Sequence, residues 1–289
     1  MATVAIPIPS EDFDPSEVAI SWSILSRQGH RVTFATPDGL PGKGDPIMLS
    51  GEGLDFWGLV PGLRKAKLLG LALRANAAAR EAYLRMASDA AFTHPLRHDE
   101  LKVEAFDGLL LPGGHRARGM KPYLESAPLQ AFVGEFFDSG KPIAAICHGV
   151  LLAARSRSSV TGRSALWGRR TTALTWRLEN SAWSMMKYLG RFWDSNYYRT
   201  YVESSSEPRG YWGVQAEVER ALKSPSDFLD VSQSTPDHFR KGSGLFRDSP
   251  TDQRPAFVVQ DGVYLSARWP GDVHTFARRF CDILESGKT

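Results

Sequence analysis

A chain of 289 residues that is 42% hydrophobic and 23% charged has the balance of an ordinary soluble globular protein, long enough to bury one large core or two smaller ones. Its formal net charge of +3 is too small to argue for nucleic acid without a concentrated basic patch, and its two cysteines exclude a disulfide framework, so a reducing cytoplasm is the expected compartment. "MATVAIPIPSEDF" has neither a basic nor a long apolar leader region, so no signal peptide is expected, and "LLGLALRANAAAREAYL" is broken by Arg74 and Arg80 and cannot span a membrane.

In chain order, "ATVAIPIP" predicts a strand entering a loop. "DPSEVAISWSILSRQGH" predicts a helix that starts at Asp14-Pro15, carries Val18, Trp22 and Leu25 at helical spacing, and stops at Gly29. "RVTFATPDG" predicts a second strand, and strand, helix, strand at this length implies a parallel sheet with a right-handed crossover. Residues 55–104 break the rhythm with a basic, Ala/Leu-rich helical insertion. Its series Arg64, Lys65, Lys67, Arg74, Arg80 and Arg85 reads as the wet face of amphipathic helices, without the aromatics of a nucleic-acid stacking surface. The alternation resumes with "FDGLLLPGGH" as a strand and glycine turn, "PYLESAPLQAFVGEFFDSG" as one helix, "KPIAAI" as a strand, "HGVLLAARS" as a helix and "RTTALTW" as a further strand. "AFVVQDGVYLSA" predicts a hairpin around Asp261-Gly262, and "GDVHTFARRFCDILES" a closing helix in which Cys281 shares helical spacing with Phe276, Phe280 and Leu284. The expected architecture is therefore α/β, a three-layer sandwich on a mainly parallel sheet. It forms a single domain over residues 1–289, with insertions at about 55–104 and about 180–255.

Residues 167–212 hold five of the eight Trp and five of the eight Tyr. They read either as a subdomain with its own aromatic packing or as a cap or dimer surface beside a site. His94 and His98 have helical i, i+4 spacing, but Pro95 between them and the lack of a third ligand argue against a metal. Arg268 to Asp272, after the last strand, either rims a crevice or forms a structural turn.

The chemical signal lies in "KPIAAICHGVLLAARS". A strand that ends at Cys147 and turns at once into a helix places the thiol at a helix N-terminus, where thiolate is favoured over thiol. This is the mechanical idea of the serine nucleophile elbow, and Gly149 leaves room for the turn. In an open parallel sheet, ligands bind beyond the strand C-termini. "LLLPGGH" ends another strand there, so the amides of Gly113, Gly114 and His115, with that of His148, are candidates for an oxyanion hole. The competing reading of Cys147 as a small buried hydrophobe fits poorly beside His148 and Gly149, whereas it fits Cys281 well.

"AAICHG", preceded by "FDGLLLPGGH", resembles the signature of the ThiJ/PfpI superfamily, which shares a class I glutamine-amidotransferase-like, flavodoxin-type fold. The resemblance covers residues 3–54, about 90–179 and the final hairpin and helix. It is nearest to the larger branch with a helical insertion, which includes the heat-shock-type glyoxalase III proteins. The resemblance implies that Cys147 works with His148 and with a following carboxylate, for which Glu179 in "TTALTWRLENSAW" is similarly placed. It also implies that a carboxylate from the first helix, here Glu17, faces the cysteine. Glu17 has a competing role in a capping box with Asp14, and Glu179 could equally be a solvent-facing helix residue. His115 shapes the oxyanion turn or caps it, and Arg116 makes the entrance more cationic than in many relatives.

On this resemblance the expected function is cofactor-free, metal-free conversion of a small 2-oxoaldehyde to a 2-hydroxy acid, by a cysteine of lowered pKa beside a proton-shuttling carboxylate. The expected partner is a small carbonyl substrate, with no nucleic acid and no membrane, and relatives suggest a homodimer. The alternatives are a cysteine hydrolase, amidase or isonitrile hydratase of the same superfamily, and a non-enzymatic holdase or redox sensor. A glutaminase would need a later His followed two residues on by Glu, and "PDHFRK" and "DVHTFA" lack it.

Overall fold

The computed structural model describes residues 1–287. The chain opens as expected, with β1 (Thr3–Pro7), a short β2 (Glu11–Phe13), α1 (Pro15–Arg27) and β3 (Arg31–Thr36). Asp14 caps α1 by accepting from the amides of Ser16 at 2.7 Å and Glu17 at 3.1 Å, with Pro15 at the first helical position where no N–H is needed. β4 (Lys43–Gly44) and α2 (Pro46–Ser50) follow, and the basic stretch then contains α3 (Leu69–Leu73), α4 (Ala77–Ala87), α5 (Ala90–Thr93) and β5 (Leu96–Arg97). β5 pairs with β3, so the segment expected to be wholly helical also supplies an edge strand of the main sheet.

β6 (Gly108–Leu111) leads into the glycine turn. The single helix expected next is two, α6 (Ala117–Leu124) and α7 (Ala127–Asp138), because Ser126 caps a new start with Pro128 in its first turn. β7 (Ile143–Ile146) and α8 (His148–Arg155) follow as read from the sequence. "RTTALTW" forms no strand: Thr171 makes an isolated bridge to Phe228, and the chain enters α9 (Trp176–Tyr188). Then come α10 (Val214–Ala221), α11 (His238–Gly242), the antiparallel pair β8 (Val258–Asp261) and β9 (Tyr264–Ala267), and α12 (Val273–Ser286).

The main sheet has the order β5-β3-β1-β6-β7-β9-β8, parallel except for β8. Alternation along each strand divides the core. Val4, Ile6, Leu110 and Ile146 pack with Val18, Phe276 and Phe280 on one face. Ala5, Leu109, Leu111 and Ile143 pack with Leu129, Phe136 and Val150 on the other. Cys281 is buried in the first of these clusters, as its spacing predicts. The fold is thus the expected flavodoxin-like three-layer α/β sandwich. The strand order runs outward from β1 to β3 and β5, then reverses from β6 to β7 and β9. The crevice of such a sheet lies beyond the strand C-termini at that reversal. No helix among the described residues is long and apolar enough to cross a membrane.

Candidate active site

Cys147 links β7 directly to α8. Its φ of 57° and ψ of −123° are a conformation that L-residues rarely adopt and that costs of order 1–3 kcal/mol. Its amide is pinned to the Ala267 carbonyl at 3.1 Å on the neighbouring β9, so the sheet holds the strained turn in place. Gly149 is required for a different reason from the one expected. The turn's unusual angles fall on Cys147, while a Cβ at Gly149 would overlap the Leu111 carbonyl oxygen, so glycine lets α8 lie close against β6.

Two strand ends and the first helix converge here. The Gly113 carbonyl accepts from the Asp14 amide at 2.9 Å, and the Gly113 amide donates to Glu17 Oε2 at 2.8 Å. Glu17 is therefore no capping-box partner of Asp14: its carboxyl points away from the cap and into the crevice. It is fully buried, Oε1 has no nitrogen or oxygen partner, and its remaining polar neighbour is the Cys147 thiol. Burial, reinforced by the adjacent Asp14 carboxylate, pushes Glu17 well above the ordinary carboxylate range despite the Gly113 N–H. A neutral Glu17 can accept through Oε2 and donate through Oε1.

The thiol contradicts the expectation of a lowered pKa. Burial, followed by the neighbouring carboxyls of Glu17 and Asp14, pushes Cys147 well above the ordinary thiol range, and the His148 backbone N–H at the helix start offsets this only in part. Cys147 is 5% exposed, and in so dry a site desolvation outweighs the helix terminus. The resting nucleophile is a thiol. Its Sγ lies 3.5 Å from His148 Nδ1. Burial lowers His148 to about 3, with the charges of Arg155 and Arg199 acting in the same direction, so the ring is neutral.

The oxyanion turn is only partly as expected. The Gly113 amide is committed to Glu17 and is not a free donor, and Gly113 packs so closely that a Cβ would sit 2.7 Å from the His148 amide nitrogen. Gly114 is held by an antiparallel bridge to Phe13. His115 is buried, with its ring 4.7 Å from that of Tyr197 and 4.4 Å from that of Tyr198, and Nε2 lies 3.6 Å from Asp45 Oδ2. Burial holds it neutral, lowered to about 4. Asp45 also accepts from the Tyr197 hydroxyl at 2.8 Å. The cation expected at the entrance, Arg116, lies between Asp12 at 3.8 Å and Asp194 at 3.7 Å, so its charge is opposed.

Glu179 is the main correction. It sits in the first turn of α9 and is 3% exposed, but its Oε2 accepts from the Val214 amide at 3.0 Å and its Oε1 faces Arg199 Nε at 3.0 Å. That contact lies off the N–H axis, because Arg199 Nε makes no hydrogen bond, so the two groups meet electrostatically rather than through a hydrogen bond. The position expected for Glu179 beside His148 is filled instead by Thr200, whose Oγ1 is 2.9 Å from His148 Nε2. The reason is local: α9 starts at Trp176 and turns the carboxylate into its own segment, where Arg199 lies between the rings of Trp176 at 5.1 Å and Trp183 at 4.7 Å. The aromatic-rich stretch therefore does two things: it packs on itself around a buried arginine, and through Tyr197, Tyr198 and Thr200 it covers the crevice. Thr200 was not legible in the sequence, because 52 positions and an irregular loop separate it from His148.

Two weaker signals resolve into structure. His98 Nε2 lies 3.2 Å from the Ile8 carbonyl, while His94 Nδ1 lies 3.0 Å from Thr93 Oγ1, so the two rings do not share a site. Arg268 is fully buried and paired with Asp272 at 2.7 Å, a structural turn rather than a rim.

The sequence model of the family described as "ThiJ/PfpI family-like" matches residues 8–209, more than two-thirds of the chain. Protein DJ-1 homolog D of Arabidopsis thaliana is 42% identical over 72 residues, covering 25% of this chain and 18% of that protein. Protein/nucleic acid deglycase 2 of Escherichia coli is 37% identical over 79 residues, covering 26% of this chain and 38% of that one. The chain thus matches well under half the length of each of these relatives. Among solved structures, glyoxalase III from Candida albicans superposes with a TM-score of 0.58 at 14% identity, over 97% of this chain and 96% of that one. The Rapid Encystment Protein of 24 kDa from Francisella tularensis superposes with a TM-score of 0.58 at 13% identity, over 98% and 99%. At such identities these likenesses bear on the fold alone.

Proposed function

The chain belongs to the ThiJ/PfpI-like family, and from that premise we propose that it is a cysteine-dependent enzyme of the glyoxalase III type, converting a small 2-oxoaldehyde and water to a 2-hydroxy acid. The observation that carries this reading is Cys147 Sγ beside a buried carboxyl pushed well above the ordinary carboxylate range, Glu17, and 3.5 Å from the imidazole nitrogen His148 Nδ1. Burial of all three restricts the substrate to a small molecule.

Sulfur adds to the aldehyde carbon as its proton passes to His148 Nδ1 and Glu17 gives its proton to the aldehyde oxygen, forming a hemithioacetal. The Glu17 carboxylate then removes the hydrogen from that carbon while the imidazolium protonates the neighbouring oxygen, giving an enediol. Glu17 returns the proton to the second carbon and takes up the remaining hydroxyl proton as the first becomes a thioester. The aldehyde carbon is oxidised and its neighbour reduced, so no external oxidant is needed. Water, deprotonated by His148, hydrolyses the thioester, and the leaving sulfur recovers its proton.

This chemistry uses both Glu17 and His148. A redox-sensing role is less well supported, since a thiol with a raised pKa carries little of the thiolate that oxidants attack. The test is to incubate the purified protein with methylglyoxal, without glutathione or metal, and follow lactate for the wild type, Cys147→Ala and Glu17→Gln. Lactate from the wild type, lost in both variants, supports the reading; no lactate from the wild type removes it for this substrate.

A further inference from the structure

We infer that Thr200 is a positioning residue that fixes the tautomer of His148, so that Nδ1 faces the Cys147 thiol as a bare acceptor. Two contacts of one hydroxyl carry the inference. Thr200 Oγ1 lies 2.9 Å from the His115 carbonyl oxygen and 2.9 Å from His148 Nε2. A hydroxyl has one proton, and a carbonyl oxygen can only accept. The proton therefore goes to His115, and the second contact is a hydrogen bond only if Nε2 carries a hydrogen and Thr200 accepts it. In a neutral imidazole the other nitrogen is then unprotonated.

Burial removes the alternatives. Thr200 is 3% and His148 1% exposed, so solvent is not at hand to take over either role. With this assignment the site forms one directional chain without a clash. Nε2–H donates to Thr200, Thr200 donates to the His115 carbonyl, and the bare Nδ1 faces Sγ at 3.5 Å. The opposite tautomer leaves Thr200 between two acceptors, Nε2 and the His115 carbonyl, with a single proton. Thr200 therefore does by hydrogen-bond direction what a carboxylate does elsewhere, and it leaves the imidazolium formed during reaction without an adjacent counter-charge. It reaches the site from the aromatic-rich segment, which links that segment to the nucleophile.

That Nδ1 receives the thiol proton rests on the function proposed above; the tautomer does not. The experiment separates them. Histidine-selective nitrogen-15 labelling, with His148 assigned by its loss in His148→Gln, reads which ring nitrogen is protonated in the resting protein near neutral pH. The expected result is a protonated Nε2 and an unprotonated Nδ1 in the wild type and in Thr200→Ser, with that preference lost in Thr200→Val. Cys147 alkylation by iodoacetamide is expected to slow about tenfold or more in Thr200→Val and to recover in Thr200→Ser. A protonated Nδ1 in the wild type, or a His148 signal unchanged in a folded Thr200→Val, overturns the proposal. If Thr200→Val does not fold, the wild-type and Thr200→Ser spectra decide it. Absence of lactate formation with the expected tautomer would remove the proposed reaction while leaving the assignment standing.

Discussion

Two regions of this molecule each bury a glutamate whose carboxyl lies above its ordinary range, and they put it to opposite uses. Glu17, on α1 at the crevice, has Oε1 without a nitrogen or oxygen partner and faces a thiol. Glu179, on α9 in the aromatic-rich segment, is raised to about 7 by burial even though Arg199 pulls it down, and both its oxygens are engaged. Burial and a perturbed pKa are common to both. What separates a reactive carboxyl from a structural one is the neighbour: a nucleophile with an open oxygen beside it, or a cation with a backbone amide.

The comparison extends to the two cysteines, and there it is sharpest. Cys147 and Cys281 are both buried, with Cys281 pushed up to about 12 by its apolar surroundings. Cys147→Ala is expected to lower lactate formation by at least about 10³-fold, and Cys281→Ala to leave it within about twofold, because only the first thiol has a proton acceptor and a carboxyl beside it. Equal losses in the two variants would break the distinction. Glu17→Gln, which keeps the acceptor oxygen for Gly113 but not the acid, is expected to cost about 10²-fold in turnover with a nearly unchanged melting temperature.

Glu179→Gln is expected to leave turnover almost unchanged. Urea denaturation near neutral pH should give a stability within about 1 kcal/mol of the wild type, because burial already favours the uncharged carboxyl that Gln mimics. A large loss of turnover in a stably folded Glu179→Gln would restore it to the site. A further effect is one of pH. The folded protein holds a proton on Glu179 up to about 7, while the unfolded chain releases it near the ordinary value of 4.5, so between those values the folded state binds more protons. The contribution of this group to stability therefore falls as pH rises from about 4.5 to 7, by at most about 1.4 kcal/mol per pH unit, and Glu179→Gln should lack it. Melting curves of both proteins across that window check the sign.

Much of the site was legible because it is built from short-range patterns. The order of strand, tight turn and helix around Cys147, the glycines after β6 and the Asp14-Pro15 start of α1 each lie within a few residues of what they position. The errors have a common origin. "RTTALTW" has strand composition, yet it joins no strand of the main sheet, and its ladder partner is a single residue of a distant loop. Glu179 stands at the right distance along the chain, but the helix that begins at Trp176 rotates it toward Arg199. The thiol was expected to be acidic from its helix terminus alone, because a terminus is visible in sequence and the burial that overrides it is not.

The amino-acid sequence by itself determined the parallel α/β fold and the cysteine at the junction of a strand and a helix, because local hydrophobic period and turn chemistry encode them, and the family resemblance pointed to the carboxylate on the first helix. Only the tertiary structure decided the protonation of the thiol, the role of Glu179 and the presence of Thr200 against His148. Those depend on desolvation and on hydrogen bonds between residues tens of positions apart, and neither follows from local pattern.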